Sequence, residues 1–386
     1  MAIKVASDFG GGSSVVVRDD HQPEEEFVSG IEGNYPIHQT IFKAMPPGTK
    51  IISAVSSGVS AWAKTAKVTV KEPDGSQKRY FLKVACGWSA KALCEGEYES
   101  QLVIEEAVGP GFGPKARAWG EYDYNNTHYY FFLGDFHDMD MATAPEPASF
   151  VEKIANLHQS KRSPNGMFGF HCATVCGQMQ RTVPWEDTWA ASFTHLLEDV
   201  IRYDNQANPP WPEYDRACRI VINRVIPRVL GALQSDGRIL EPVLIHGDIW
   251  EQNVGIDMET GETLIFDPGC TYAHNEMEFG TWRGSWASYF NNPVYQRLYQ
   301  MHIPPSEPAD EWDDRNRIYA LHININDSAG HPGSTSRQVA YNDMLFLIEK
   351  YCPEELEADP ELGKYDPQQD ISVTGAYVPH IVRQLE

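Results

Sequence analysis

The chain has 386 residues, of which 42 % are hydrophobic, enough apolar material for a large core in an ordinary globular protein. A formal net charge of −23 at pH 7 argues against nucleic acid or an anionic membrane as partner, though not against a nucleotide held by local cations. No apolar run approaches a bilayer span, the opening MAIKVASDFGGGSS lacks an apolar signal core, and the seven cysteines are odd in number and scattered, so the expectation is a cytoplasmic protein with reduced thiols.

Residues 1–47 read as an extension with one short strand near Ser14 to Val17 and no legible function. From residue 48 the pattern sharpens. Ile51 to Val55 is a strand, followed by the small run Ser56, Ser57, Gly58, Val59, Ser60; Val68 to Val70 and Tyr80 to Val84 then make a hairpin around Pro73-Asp74-Gly75. Small residues such as Ser57 and Gly58 let backbone N–H groups approach phosphates, although an ordinary turn would be the better reading were it not for the next strand. That strand carries Lys83 within an apolar run, where an ammonium needs a partner unless it snorkels from an edge. A helix over Ser89 to Val108 offers Glu95, Glu97 and Glu99; of these Glu97 shares a face with Leu93 and Ile104. His128 to Leu133 is the next strand, after the turn residues Asn125 and Asn126, and it ends at Gly134, Asp135 and Phe136.

Helical periodicity then takes over: Phe150, Ile154 and Leu157 share a face, as do Trp189, Phe193, Leu196 and Val200, and Val221, Val225 and Val229 begin another after the break at Asn208 to Pro212. The stretch Val243 to Glu278, VLIHGDIWEQNVGIDMETGETLIFDPGCTYAHNEME, departs from this pattern. Val243 to Ile245 and Thr263 to Phe266 are short enough and apolar enough to be strands, with a turn at Glu259 to Glu262. As a hairpin they would carry Asp248, Asn253 and Asp267 to one mouth. Phosphoryl transfer needs such a set: a carboxylate for the hydroxyl proton, and an amide and a second carboxylate for Mg²⁺ on the phosphates of ATP. HGDIWEQN matches the kinase catalytic-loop pattern H-R-D-L-x-x-x-N with Gly247 in place of arginine, Lys83 stands where V-A-I-K puts its lysine, and DPG at 267–269 stands where D-F-G would. After Glu278 the chain reads as helical to about Tyr351, interrupted at Asn324, Asn326 and the Gly330 to Gly333 turn; from residue 353 it is an acidic, proline-bearing tail or docked strap.

These motifs resemble the fructosamine kinase (ketosamine-3-kinase) family, whose members carry a similar HGDLW-x-x-N, a DP motif and Y-G-H-x-E. Here the last reads Tyr272-Ala273-His274-Asn275-Glu276. FGFH at Phe168 to His171 and the pair Trp185 and Trp189 are similar to a further family segment, with the acidic position shifted. The resemblance implies an α+β, bilobal, protein-kinase-like fold of the aminoglycoside-phosphotransferase type: a β-rich nucleotide-binding lobe over 48–135 and a helical catalytic lobe over 136–352, followed by a tail over 353–386. It also implies ATP- and Mg²⁺-dependent phosphorylation of the 3-hydroxyl of ketosamines on glycated proteins or small molecules. In that scheme Asp248 is the base, Asn253 and Asp267 hold Mg²⁺, and Lys83 paired with Glu97 grips the phosphates. Ser57 and Gly58 line the phosphate loop, Gly134, Asp135 and Phe136 form the adenine-reading hinge, and Trp250, His274 and Glu276 meet the sugar. Core packing remains the alternative for Trp250, and a purely structural pair the alternative for His274 and Glu276. The rival activities are an aminoglycoside- or choline-type kinase, which shares HGD-x-x-x-x-N, and a catalytically silent nucleotide-binding module.

Overall fold

A computed structural model describes residues 26–58, 62–284 and 286–370, together with two strands at Ala2–Val5 and Val15–Arg18. The backbone contacts divide the chain into two compact units, Met1–Asp140 with Ile256–Pro268, and Met141–Gly255 with Gly269–Glu386. The first is rich in sheet and the second mostly helical, an α+β chain.

In the first unit, strands β1 (Ala2–Val5), β2 (Val15–Arg18) and β3 (Glu32–Gly33) precede the short helix α1 (Gln39–Lys43). Strands β4 (Lys50–Ser56), β5 (Lys64–Lys71) and β6 (Gln77–Cys86) follow, then helix α2 (Ala90–Val108), β7 (Ala116–Tyr124), β8 (Thr127–Asp135) and β9 (Met139–Asp140). Eight of these strands form one sheet in the order β2-β1-β7-β8-β6-β5-β4-β3. Alternation explains it: Ala66, Val68 and Val70 of β5 point to a core shared with Tyr80, Leu82, Phe131 and Leu133. The β5–β6 turn falls on Pro73-Asp74-Gly75 as the sequence suggests, with Asp74 Oδ1 accepting the Ser76 N–H at 2.9 Å. Asn125 and Asn126, at φ 49° and 59°, make the tight β7–β8 turn. Strand β7 was not read from the sequence. Ile37, Ile41, Ala44 and Met45 belong to this core, so the later part of the amino-terminal extension is packed into the first unit.

The second unit opens with α3 (Pro147–Ser160), the hairpin β10 (Thr174–Cys176) and β11 (Met179–Arg181), then α4 (Trp189–Ala207), α5 (Pro212–Ile220), a wide π turn at Val221–Val225 and α6 (Ile226–Val229). The π turn runs straight into Pro227, which offers no N–H to a regular helix. Strand β12 (Val243–Ile245) follows; β13 (Val254–Asp257) then crosses at Ile256 into the segment that belongs to the first unit, which also holds β14 (Thr263–Ile265). The second unit resumes with β15 (Thr271–Ala273), α7 (Pro293–His302), α8 (Trp312–Gly330), α9 (Ser336–Tyr351) and α10 (Pro353–Ala358).

Two sequence expectations give way here. Strand β12 does not pair with the Thr263 strand; it runs antiparallel to β15, Leu244 facing Tyr272. The turn at 259–262 instead joins β13 to β14, closed by Asp257 N–H to Glu262 O at 2.9 Å, and β13 continues onto β9 through Ile256 and Asp140. Within the first unit, His137 Nδ1 lies 2.7 Å from Asp257 Oδ2 and ties the segment after β8 to this hairpin. Helix α8 is also unbroken through Asn324 and Asn326. It is buried on almost every side, so its two amides do not mark an exposed stop. Beyond α9 the chain docks: Leu362 is buried, Tyr341 OH donates to Leu362 O at 2.5 Å, and Arg317 reaches Asp370 at 2.7 Å. Residues 371–386 lie outside the described residues.

Candidate functional site

In the first unit, β6 aims Lys83 inward. Its Nζ donates to Glu97 Oε2 on α2 at 2.6 Å and to Asp267 Oδ1, just past β14, at 2.8 Å. Lys83 and Glu97 are almost completely buried, whereas the Asp267 side chain keeps 42 % of its surface. Burial alone would lower the lysine pKa, but Asp267 and then Glu97 outweigh it and hold the ammonium charged above its usual range. Burial pushes the Glu97 carboxyl the other way, upward, with Lys83 opposing. Asp267 has φ 55°, a left-handed value strained for a non-glycine residue.

The phosphate-loop and hinge expectations change in detail. The Ser57 N–H is already committed to Thr65 O at 3.1 Å, and its carbonyl accepts Thr65 Oγ1 at 2.5 Å, so this peptide closes the β4–β5 ladder instead of facing a phosphate. Gly58 follows with φ 82°, and Val59 and Ser60 lie outside the described residues. Gly134 stays within β8. The N–H groups of Asp135 and Phe136 donate to Lys115 O (2.8 Å) and Arg79 O (3.1 Å), and Arg117 Nε holds the Asp135 carboxylate at 2.7 Å. None of these three residues therefore turns a free amide N–H to an adenine.

In the second unit the loop after β12 carries Asp248 and Asn253. Asn253 Nδ2 donates to Asp248 O at 2.9 Å and to Asp248 Oδ2 at 3.1 Å, which turns the Asn253 Oδ1 away; that oxygen accepts no hydrogen bond among the described residues. Cys176 Sγ lies 3.5 Å from Asp248 Oδ1, and burial pushes the thiol up to about 12, with the Asp248 charge adding to it. The loop backbone is pinned from several sides. Glu278, fully buried, accepts the His246 N–H at 2.7 Å and the Gly247 N–H at 2.8 Å. Burial would raise this carboxyl, but the His158 hydrogen bond and the nearby His158 and His246 outweigh it and lower its pKa. Thr281 Oγ1 (2.7 Å) and Trp282 Nε1 (3.1 Å) both donate to Ile249 O. Arg181, on β11, donates to Gly247 O and Gly269 O, each at 2.7 Å. Sequence reasoning passed over Glu278 and Arg181. A carboxylate inside the apolar run Met277 to Phe279 was the one legible signal between them.

Trp250, two residues after Asp248 in the chain, is half-buried. His274 and Glu276, by contrast, are wholly inside the second unit. His274 bonds Tyr319 OH at 2.7 Å and Ser306 Oγ at 2.9 Å; Glu276 takes Arg315 Nε at 2.7 Å, Arg315 Nη2 at 3.0 Å and Ser306 N–H at 2.8 Å. With 0 % and 1 % exposure, they show no surface to a sugar and form the structural pair that the sequence left as the alternative.

A sequence model of the family described as fructosamine kinase matches residues 54–343. The chain is 30 % identical over 197 residues to the chloroplastic protein-ribulosamine 3-kinase of Oryza sativa subsp. indica, covering 51 % of this chain and 53 % of the rice protein. It is 25 % identical over 198 residues to ketosamine-3-kinase of Mus musculus, covering 49 % of this chain and 56 % of the mouse protein. The chain thus matches about half the length of these curated relatives. Among solved structures, a Haemophilus somnus 129PT protein named for fructosamine-3-kinase aligns with a TM-score of 0.59 at 14 % identity, over 78 % of this chain and 92 % of that one. A thermostable mutant of aminoglycoside phosphotransferase APH(4)-Ia aligns at 0.52 and 14 % identity, over 78 % and 95 %. At these identities the structural likeness concerns the fold alone.

Proposed function

The chain belongs to the fructosamine kinase family, and on that premise we propose that it transfers a phosphoryl group from ATP to the 3-hydroxyl of a ketosamine, carried by a glycated protein or a small molecule. The observation that carries this reading is the buried Lys83, charged inside a sheet and held between Glu97 and Asp267. A packing position would not retain a desolvated ammonium at that cost. Lys83, steadied by Glu97, is assigned to the ATP phosphates. The Asp267 carboxylate and the Asn253 Oδ1 are oxygens of the kind that Mg²⁺ takes. When bound, the metal would neutralise charge on the phosphates. Asp248, one carboxylate oxygen fixed by Asn253, orients the acceptor hydroxyl and takes its proton. Trp250 is assigned as the flat wall for the sugar.

A 3-phosphorylated ketosamine would shed its sugar, which makes protein repair the proposed role. Gly247 in place of the kinase arginine, and no A-P-E after Asp267, favour an enzyme that works without a phosphorylation switch. No helix among the described residues is long and apolar enough to cross a membrane, and none of the seven cysteines forms a disulfide. We assign the chain to the cytoplasm on the thiols, with neither nucleic acid nor membrane as partner.

The test is ADP release from Mg·ATP with ribulosyl-lysine, fructosyl-lysine, kanamycin or choline as acceptor. Turnover of the ketosamines, ribulosyl-lysine ahead, is expected. Turnover of kanamycin or choline alone would transfer the assignment to the rival kinase class, and ATP binding without any turnover would favour the silent module.

A further inference from the structure

We propose that the β10–β11 hairpin is a clamp that sets the catalytic loop, with Cys176 and Arg181 as positioning residues for Asp248; the inference rests on the assignment of Asp248 as the base. The hairpin meets the loop and its neighbour at four points, all within the second unit. Arg181 Nη2 and Nη1 donate to Gly247 O and Gly269 O, both at 2.7 Å. Cys176 Sγ faces Asp248 Oδ1 at 3.5 Å, so the thiol and Asn253 hold opposite oxygens of one carboxylate. Thr174 Oγ1 donates to Cys270 O at 3.3 Å. The hairpin is itself anchored from behind. Asn326 Nδ2 donates to Cys176 O at 3.3 Å, Tyr203 OH to Gln180 O at 3.2 Å, and the Thr182 N–H to Asp199 Oδ2 at 2.6 Å.

Two glycines make the approach possible. Gly247 has φ 83°, and a Cβ there would lie 2.4 Å from Gly269 O and 2.8 Å from Arg181 Nη1. A Cβ on Gly269 would lie 2.1 Å from Val175 O. Where the kinase pattern places an arginine in the loop itself, this chain has glycine, and a guanidinium arrives from a separate hairpin to bridge the two peptides. Arg181 is 1 % exposed, and no carboxylate pairs with it among the described residues. Burying an arginine with no carboxylate partner is an expensive way to fill space, whereas it fits a fork that must fix two loops in register.

The experiment compares Arg181→Ala, Arg181→Lys and Cys176→Ala with wild type for kcat, for KM of ATP and ketosamine, and for Tm. Because Lys83 is untouched, Arg181→Ala is expected to lower kcat by roughly 10²-fold while KM for ATP stays within about threefold, and added guanidinium should restore part of kcat. Arg181→Lys, unable to bridge both carbonyls, should fall in between. Cys176→Ala should lose about 3–10-fold, in keeping with a weak S–H donor. A folded Arg181→Ala enzyme with wild-type kcat overturns the proposal. If that variant does not fold, wild-type kcat in both Arg181→Lys and Cys176→Ala overturns it. Should wild type turn over no ketosamine, it is the proposed activity that fails; the clamp is then read by amide exchange across residues 246–250 in Arg181→Lys. Exchange faster by about tenfold upholds it and unchanged exchange overturns it.

Discussion

Glu278→Gln probes the framework of the catalytic loop without reference to any substrate. The native carboxylate accepts two backbone N–H groups, from His246 at 2.7 Å and Gly247 at 2.8 Å, and lies 3.3 Å from His158 Nε2. Glutamine keeps the shape, but one acceptor becomes an NH₂ that faces a donor wherever it is turned. Hydrogen bonds to a charged group contribute about 1.5–3 kcal/mol each, and the buried N–H left unpaired carries its own desolvation cost. The loss is therefore about 3–5 kcal/mol, a large share of the roughly 5–15 kcal/mol that holds a domain folded. Urea unfolding followed by tryptophan fluorescence should show a lower midpoint at unchanged slope. Glu262→Gln, at an exposed turn position, should stay within about 0.5 kcal/mol of wild type. A Glu278→Gln protein less than about 1 kcal/mol weaker would refute the claim that this carboxylate pins the loop.

Lys83→Met should destabilise by about 3–5 kcal/mol, because Glu97 is left buried without its partner, and denaturant titration would reveal it; a neutral effect would mean that the ion pair is not formed in solution. Stability should also fall with acid through His274. Burial pushes its pKa down to about 4 from 6.5, against the pull of Glu276, so between those values the unfolded chain binds more protons than the folded one. The folded state is thus favoured above pH 6.5 and loses up to about 3 kcal/mol as pH falls towards 4. His274→Gln should flatten that part of the stability–pH curve, and an unchanged curve would contradict the assignment.

What the sequence made legible were features with a local physical signal. The β5–β6 hairpin has its proline, aspartate and glycine at the turn, and α2 has a carboxylate on its apolar face that a strand lysine needs. The long helices were legible from their spacing. The pairing of β12 was not, since Val243–Ile245 had two short apolar candidates within reach and nothing local chooses Thr271–Ala273 over Thr263–Ile265. Strand β13 (Val254–Asp257) is only one residue longer. Helix α8 misled because periodicity assumes one wet face, whereas Asn324 and His322 are both fully buried. At residues 134–136 position along the chain identifies β8, but which amide N–H groups remain available is fixed by Lys115 and Arg79, distant in sequence from Asp135. Arg181 gave no signal at all, because its partners are backbone carbonyls, and carbonyls have no letter in a sequence.

The account stands most directly on Asp248. Product from ribulosyl-lysine and Mg·ATP can be followed by ³¹P NMR, with ATP affinity measured alongside by calorimetry, for wild type and Asp248→Asn. The account predicts a phosphate ester on the 3-hydroxyl, formed roughly 10²–10⁴-fold more slowly by Asp248→Asn while ATP affinity is kept. An ester at another hydroxyl, or a wild-type rate from Asp248→Asn, would contradict it.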